Sequence, residues 1–310
     1  MADSTHLLGE ATTGASSNND EPIRLTWRDK LVEFGLTMSV ITTGIFIALL
    51  VFLSIILTAD DVIERAVPGL LKQGSLTIIV LIILSATVGN ICASLCFPSL
   101  VRLIFRGHEL RDDRLDRSVG KLIASTGMDI AAETLYTIRS RTANAMVSGL
   151  FQKNRYIFFT DKLLARTNEE EILAIFAHEL AHVRHRHLPK MLMATFMWVC
   201  GIQVFLYLID FNAYFNALDE SFKIWVYSII NVVNVWILMF FVLYPLSRRN
   251  EYEADATAAG WVGVECYSRA LYRLHQLNDR MKAPRKFARV FLTHPSLQDR
   301  LDRVAQLNSK

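Results

Sequence analysis

Residues 166–190 read RTNEEEILAIFAHELAHVRHRHLPK. Thr167 and Asn168 are N-cap residue types, and Glu170 or Glu171 can complete a capping box with them. The run Glu169, Glu170, Glu171 suits the positive end of a helix dipole. Ile172, Ile175, Phe176 and Leu180 form an apolar stripe at helical spacing, and Pro189 closes the pattern. The stretch predicts a helix with His178 and His182 one turn apart on one face. Two imidazoles so placed can reach one ion. Glu179 is offset from His178 by about 100°, so it can meet a water at that ion without being a ligand. This is the physical content of H-E-x-x-H: two zinc ligands and a general base.

The chain carries its own control. At 108–112, HELRD places Asp112 where the second histidine would fall, and that stretch reads as solvated polar surface. A third histidine of the metzincin pattern would stand at 188, which is Leu188, and its glycine at 185, which is His185. That pattern is absent. His185 and His187 read as solvated or hydrogen-bonded groups rather than ligands.

The surroundings of this helix are apolar. Of the 310 residues, 52% are hydrophobic and the mean hydropathy is +0.28, too high for an ordinary soluble domain. The net charge of +3 is too small for a nucleic-acid binder. Four runs carry no charge: Phe34 to Thr58, Gln73 to Val101, Met191 to Ile209 and Ile224 to Ser247. Each supplies about the 20 residues a helix needs to cross some 30 Å of hydrocarbon, and none shows a polar face. They predict four transmembrane helices, as hairpins over 31–101 and 191–247. Residues 1–30 are polar and slightly acidic; they read as a disordered tail, not a signal peptide. Cys92, Cys96, Cys200 and Cys266 have neither disulfide-framework nor zinc-finger spacing.

Basic residues set the orientation. Arg24, Arg28 and Lys30 precede the first run; Arg102, Arg106, Arg111, Arg114, Arg117 and Lys121 follow the second; Arg184, Arg186 and Lys190 precede the third; Arg248 and Arg249 follow the fourth. The loops 59–72 and 210–223 are poor in base. Both termini and the segment 102–190 are therefore expected on the cytoplasmic side. The polar pieces 102–190 and 248–310 are each small for a stable unit and are expected to fold together as one mostly helical domain on the membrane.

A catalytic zinc takes three protein ligands and keeps one position for water. After the fourth run comes SRRNEYEADATAAGW, 247–261. Glu251 and Asp255 share a helix face, and Glu253 points nearly opposite to Glu251. One acid can bind zinc while the other orients a histidine through its second ring nitrogen; the plain alternative is a solvated acidic turn. The two intervening runs return the chain to the side it left, so 182 and 251 can share an ion.

HELAH, followed by two apolar runs, SRRNEYEAD and THPSLQDRL, resembles the integral-membrane zinc endopeptidases that include HtpX and the CAAX prenyl endopeptidases. NAMVSGLFQKNRYIFFTDKLL, 144–164, is similar to that family's Asn-Ala strand ahead of the catalytic helix. The resemblance covers roughly 144 to 307, and four runs with two ahead of the catalytic helix match the HtpX arrangement. Ser296 stands where a second proline is common, and the tail has no obvious bacterial counterpart.

The resemblance implies a mainly α protein: four transmembrane helices and a zincin-like metalloprotease domain with a small β-sheet or hairpin. It implies an enzyme of the gluzincin type holding one Zn2+ per chain. Glu251 would be the third ligand, Asp255 its supporting acid, and His294 and Arg300 would lie near the substrate. Locally, Ser296 reads as an N-cap ahead of the stripe Leu297, Leu301 and Val304. Glu179 is expected to act as the base in peptide-bond hydrolysis. The expected partners are the lipid bilayer and polypeptides, either membrane or misfolded proteins, bound extended along a strand edge at Asn144, Ala145 and Met146; the alternative is that 144–164 is only a structural hairpin under the helix. RYIFF is β-prone and reads as the neighbouring strand. A cytoplasm-facing site fits a bacterial inner membrane, with an organelle membrane as the alternative, and a role in protein quality control.

Two other classes compete. A transporter would place ionisable groups within its spans, and these runs have none. Asn90, Gln203, Asn231 and Asn234 are explained by interhelical hydrogen bonds. An inactive zinc-bound scaffold would not need the base and all three ligand candidates to be present together.

Overall fold

The computed structural model describes residues 88–89, 91–92, 95–128, 135–149, 155–210, 218–278 and 295–309. The expected tail 1–30, the run 34–58, most of the run 73–101 and His294 lie outside the described residues.

After helix α1 (Leu95–Ile104), the chain enters the short strand β1 (His108–Glu109). The HELRD stretch is exposed there. Its Asp112 accepts hydrogen bonds from the backbone N–H groups of Arg114 and Leu115, capping α2 (Asp113–Ser125). Strands β2 (Leu135–Ile138), β3 (Ala145–Ser148) and β4 (Tyr156–Thr160) follow. The sheet order is β1-β2-β4-β3. β2 runs parallel to β4, and β1 and β3 join as antiparallel edges. Ala145 pairs with Phe159 and Met146 with Phe158, so RYIFF is the neighbour of the 144–148 strand. The expected sheet or hairpin is a four-stranded mixed sheet.

Helix α3 (Asp161–Arg166) leads into α4 (Glu169–Arg184). Of the sequence candidates, Asn168 and Glu171 make the capping box. The Asn168 side chain accepts from the Glu171 N–H at 2.9 Å, and Glu171 accepts from the Asn168 N–H at 3.1 Å. The apolar stripe of α4 buries Ile172, Ile175, Phe176 and Leu180 against the sheet and helices α2 and α8, in one core with Val119, Ile157, Phe159 and Leu163.

Helix α5 (His187–Asp210) covers the third apolar run. The chain returns as α6 (Glu220–Ile237), passes through a π-helical turn (Leu238–Leu243) and continues as α7 (Tyr244–Val262). Pro245 lies just past that turn. It has no N–H to donate back along the helix, and its ring crowds the preceding turn, a recognised cause of local widening. The helix does not end there, so the fourth apolar run and the acidic stretch share one rod. Gly263 breaks the rod at φ +90°, a conformation that side chains rarely adopt. Helix α8 (Val264–Leu277) then folds back onto α4. The last helix, α9 (Leu297–Ala305), begins at Ser296, whose hydroxyl accepts from the Asp299 N–H at 3.2 Å.

Among the described residues one helical stretch, Val232–Val262, is long and apolar enough to cross a membrane. Large apolar side chains stand exposed along α5 and α6, among them Phe205, Leu208, Trp225, Ile229 and Trp236. Trp198 on α5 donates to Asn234 on α6 at 2.6 Å, so Asn234 makes the interhelical hydrogen bond expected of it.

Candidate metal centre

The site forms where α4 crosses α7. Fully buried alanines on both helices, Ala174, Ala177 and Ala181 facing Ala254, Ala258 and Ala259, let the two backbones approach closely. Longer side chains at one end of the crossing then converge. His178 Nε2 and His182 Nε2 are 3.0 Å apart. One oxygen of Glu251 lies 3.5 Å from His178 Nε2 and the other 3.5 Å from His182 Nε2. The three ligand atoms lie within 4.8 Å of one another, and Glu251 is buried.

Behind His178 lies a second layer of contacts. His178 Nδ1 is 3.1 Å from Asp255 Oδ1 and 3.0 Å from the Tyr267 hydroxyl. Tyr267 donates to Asp255 Oδ1 at 2.5 Å. Burial, with the nearby carboxylates adding to it and Arg300 opposing, pushes the Tyr267 hydroxyl well above its ordinary pKa. It therefore stays a donor. Arg300 forks onto Asp255, through Nε to Oδ2 at 2.8 Å and Nη2 to Oδ1 at 2.5 Å. Its Nη1 is 3.6 Å from Glu251. The guanidinium, itself buried, offsets the charge of both carboxylates.

These partners decide what the site can hold. With Asp255 and Tyr267 on Nδ1, the ring proton of neutral His178 belongs there, and the Nε2 lone pair faces His182 and Glu251. An imidazole lone pair and a carboxylate then meet as acceptors beside His182 Nε2, an arrangement that favours a cation or a proton between them. Two histidines and one acid form a donor set that suits zinc and leaves a position open. Burial opposes charge on His178, but hydrogen bonds to Asp255 and Glu251 and the Glu251 charge outweigh it, pushing its pKa up to about 9.

The remaining sequence candidates are distributed as follows. Glu179 follows His178 on α4 and is half-buried. Arg300 stands behind Asp255, bound to the carboxylate that supports His178. Asn144, Ala145 and Met146 lie at the start of β3, an edge strand packed against α4. The Asn144 carbonyl accepts from the Thr160 N–H at 3.0 Å, and the Thr160 hydroxyl accepts from the Asn144 N–H at 2.9 Å.

Sequence reasoning missed Tyr267. On α8 it looks like one more member of a core stripe with Ala270 and Leu271, and nothing local marks its hydroxyl. His185 and His187 have hydrogen-bonded roles. Both reach Glu253, at 3.1 Å each, on the face of α7 turned away from Glu251.

Comparison with known proteins adds an independent finding. Residues 109–308 match the profile of peptidase family M48. The chain is similar to Protease HtpX of Legionella pneumophila (strain Corby), 31% identical over 193 residues, covering 55% of this chain and 68% of that protein. It is also similar to Protease HtpX homolog 2 of Methanosarcina mazei, 24% identical over 210 residues, covering 59% of this chain and 69% of that one. Among solved structures, the crystal structure of S. mikatae Ste24p superposes with a TM-score of 0.61 over 89% of this chain and 78% of that one. At 19% identity that likeness is one of fold.

Proposed function

This chain belongs to peptidase family M48, and from that premise we propose that it is a membrane-embedded zinc metalloendopeptidase of the HtpX kind. The observation that carries the proposal is the convergence of His178, His182 and Glu251, with the outer nitrogen of His178 already committed to Asp255 and Tyr267. Zinc held by these three side chains would supply a Lewis acid that acidifies water and polarises a peptide carbonyl.

The protein's own residues do the rest. Glu179, next to His178 on the helix, takes a proton from the attacking water and delivers it to the leaving amine. Asp255, Tyr267 and Arg300 hold His178 in the tautomer that presents Nε2, and Arg300 also balances the charge of Glu251. Arg300 thus acts as a positioning residue. His294 is proposed to meet the substrate, as the family resemblance implies. The polypeptide lies extended along the β3 edge beside Asn144, Ala145 and Met146, adding a strand to the sheet. That position follows from two features: β3 ends the sheet, and it packs on the helix that carries Glu179.

The membrane part of the proposal draws on surface chemistry. Trp225 is 69% exposed and Phe241 76%, and their neighbours along α5 and α6 are apolar too. Exposed apolar side chains of this number need a covering, and lipid suits them. We place the catalytic domain on the cytoplasmic side of a bacterial inner membrane, with membrane or misfolded proteins as substrates.

The test uses purified full-length chain in detergent. Glu179→Gln is expected to retain zinc at one per chain and to lose cleavage of unfolded casein. Glu251→Ala is expected to lose both zinc and cleavage. Casein cleavage by Glu179→Gln at the wild-type rate would show that another group is the base.

A further inference from the structure

The two histidines of the centre are held by different means. His178 meets a carboxylate directly. At His182 the outer nitrogen, Nδ1, is 2.7 Å from Nδ1 of His187, a buried residue at the start of α5. His187 Nε2 is in turn 3.1 Å from Glu253 Oε2 on α7. The other oxygen of Glu253 is 3.1 Å from His185 Nδ1, and Lys190 Nζ is 3.6 Å from Oε2. The carboxylate is therefore gripped from three sides.

Hydrogen-bond direction in this row follows from a single constraint. An imidazole that gives its Nε2 lone pair to a metal carries its proton on Nδ1. With His182 in that tautomer, its Nδ1–H must donate to His187, so His187 Nδ1 is the acceptor. The His187 proton then sits on Nε2, where Glu253 accepts it. Every donor in the row has an acceptor, and no atom is asked to play both parts.

We infer that His187 and Glu253 are positioning residues that lock the tautomer and ring orientation of the second zinc ligand, His182. The inference rests on the zinc reading proposed above. It also decides the standing of His185, His187 and Glu253, whose ligand atoms lie close enough to hold a metal of their own. A cation on His187 Nε2 would move that ring's proton to Nδ1, leaving two N–H groups facing each other across 2.7 Å. While His182 is ligated the row acts as a support, not a second metal site.

The experiment measures zinc stoichiometry and zinc affinity, by chelator competition, on full-length chain in detergent. The visible spectrum of the cobalt-substituted protein reports ligand geometry. Wild type is expected to bind one zinc. Glu253→Ala and His187→Phe should still bind one, about tenfold or more weakly, with a shifted cobalt band. Glu253→Gln should recover part of the affinity, because its amide oxygen can still accept from His187 Nε2–H. Glu253 is half-buried, so its variants carry the test even if His187→Phe does not fold. Wild-type affinity and an unchanged cobalt spectrum in Glu253→Ala would overturn the inference. So would a second zinc in wild type that Glu253→Ala removes. Wild type that binds no zinc would defeat the metalloprotease reading itself, an outcome distinct from the other two.

Discussion

Arg300 shows how a residue's role depends on its neighbours. In sequence it is one base on a polar helix, and the family resemblance implies a place near the substrate. In the structure it is buried and forked onto Asp255. Removing one partner of a buried ion pair leaves the other charge uncompensated and costs about 3–5 kcal/mol. Arg300→Ala is therefore expected to lower stability by about that amount, read as a fall in the denaturation midpoint with chelator present throughout. A residue that only touched substrate would leave that midpoint unmoved. His178 and His182 are a different case. Their spacing along one helix places them together before any tertiary contact forms. Tyr267 and Glu253 reach them only because α8 and α7 pack on α4 and its junction with α5, and no local pattern records that.

The helix that carries His178 and His182 was the most legible of the elements. Its cap, dipole-matched acids and apolar stripe all lie within 16 residues and act through local geometry. The sequence left Thr167 or Asn168 as the cap, with Glu170 or Glu171 as its partner, and the backbone path chose Asn168 and Glu171. Asn168→Ala is expected to destabilise the chain by about 1 kcal/mol, measured as a lowered thermal midpoint with zinc content unchanged. The fourth run was legible as a helix, but its continuation through a π-helical turn into α7 was not. Pro245 would ordinarily mark an end. The helix persists because α7 is packed against α4 and α8, which outweighs the lost backbone hydrogen bond. The strands at 145–148 and 156–160 were expected as neighbours. Their joining with β2 and β1 into a mixed sheet depends on a crossover that periodicity does not encode.

For the whole molecule, the decisive question is which sides of a bilayer its parts occupy. On the proposed topology, in which the two intervening apolar runs cross the bilayer, the basic loops put residue 186 and the metal centre on one side and the loop before α6 on the other. In a cysteine-free background, Leu218→Cys in right-side-out vesicles is expected to react with an impermeant maleimide. Arg186→Cys should react only after permeabilisation. The reverse pattern would place the centre on the outer face. The sequence by itself determined the catalytic helix, the pairing of His178 with His182 and the apolar runs, because each depends on residues within a few turns of one another. Only the tertiary structure decided that Glu251 comes to both histidines, that Tyr267 and Arg300 stand behind His178, and that His187 and Glu253 stand behind His182. Glu251, Tyr267, Arg300 and Glu253 are far from the histidines in the chain and reach them because small side chains let α4 and α7 cross at close range, whereas His187 is five residues from His182 and meets it through the turn between α4 and α5.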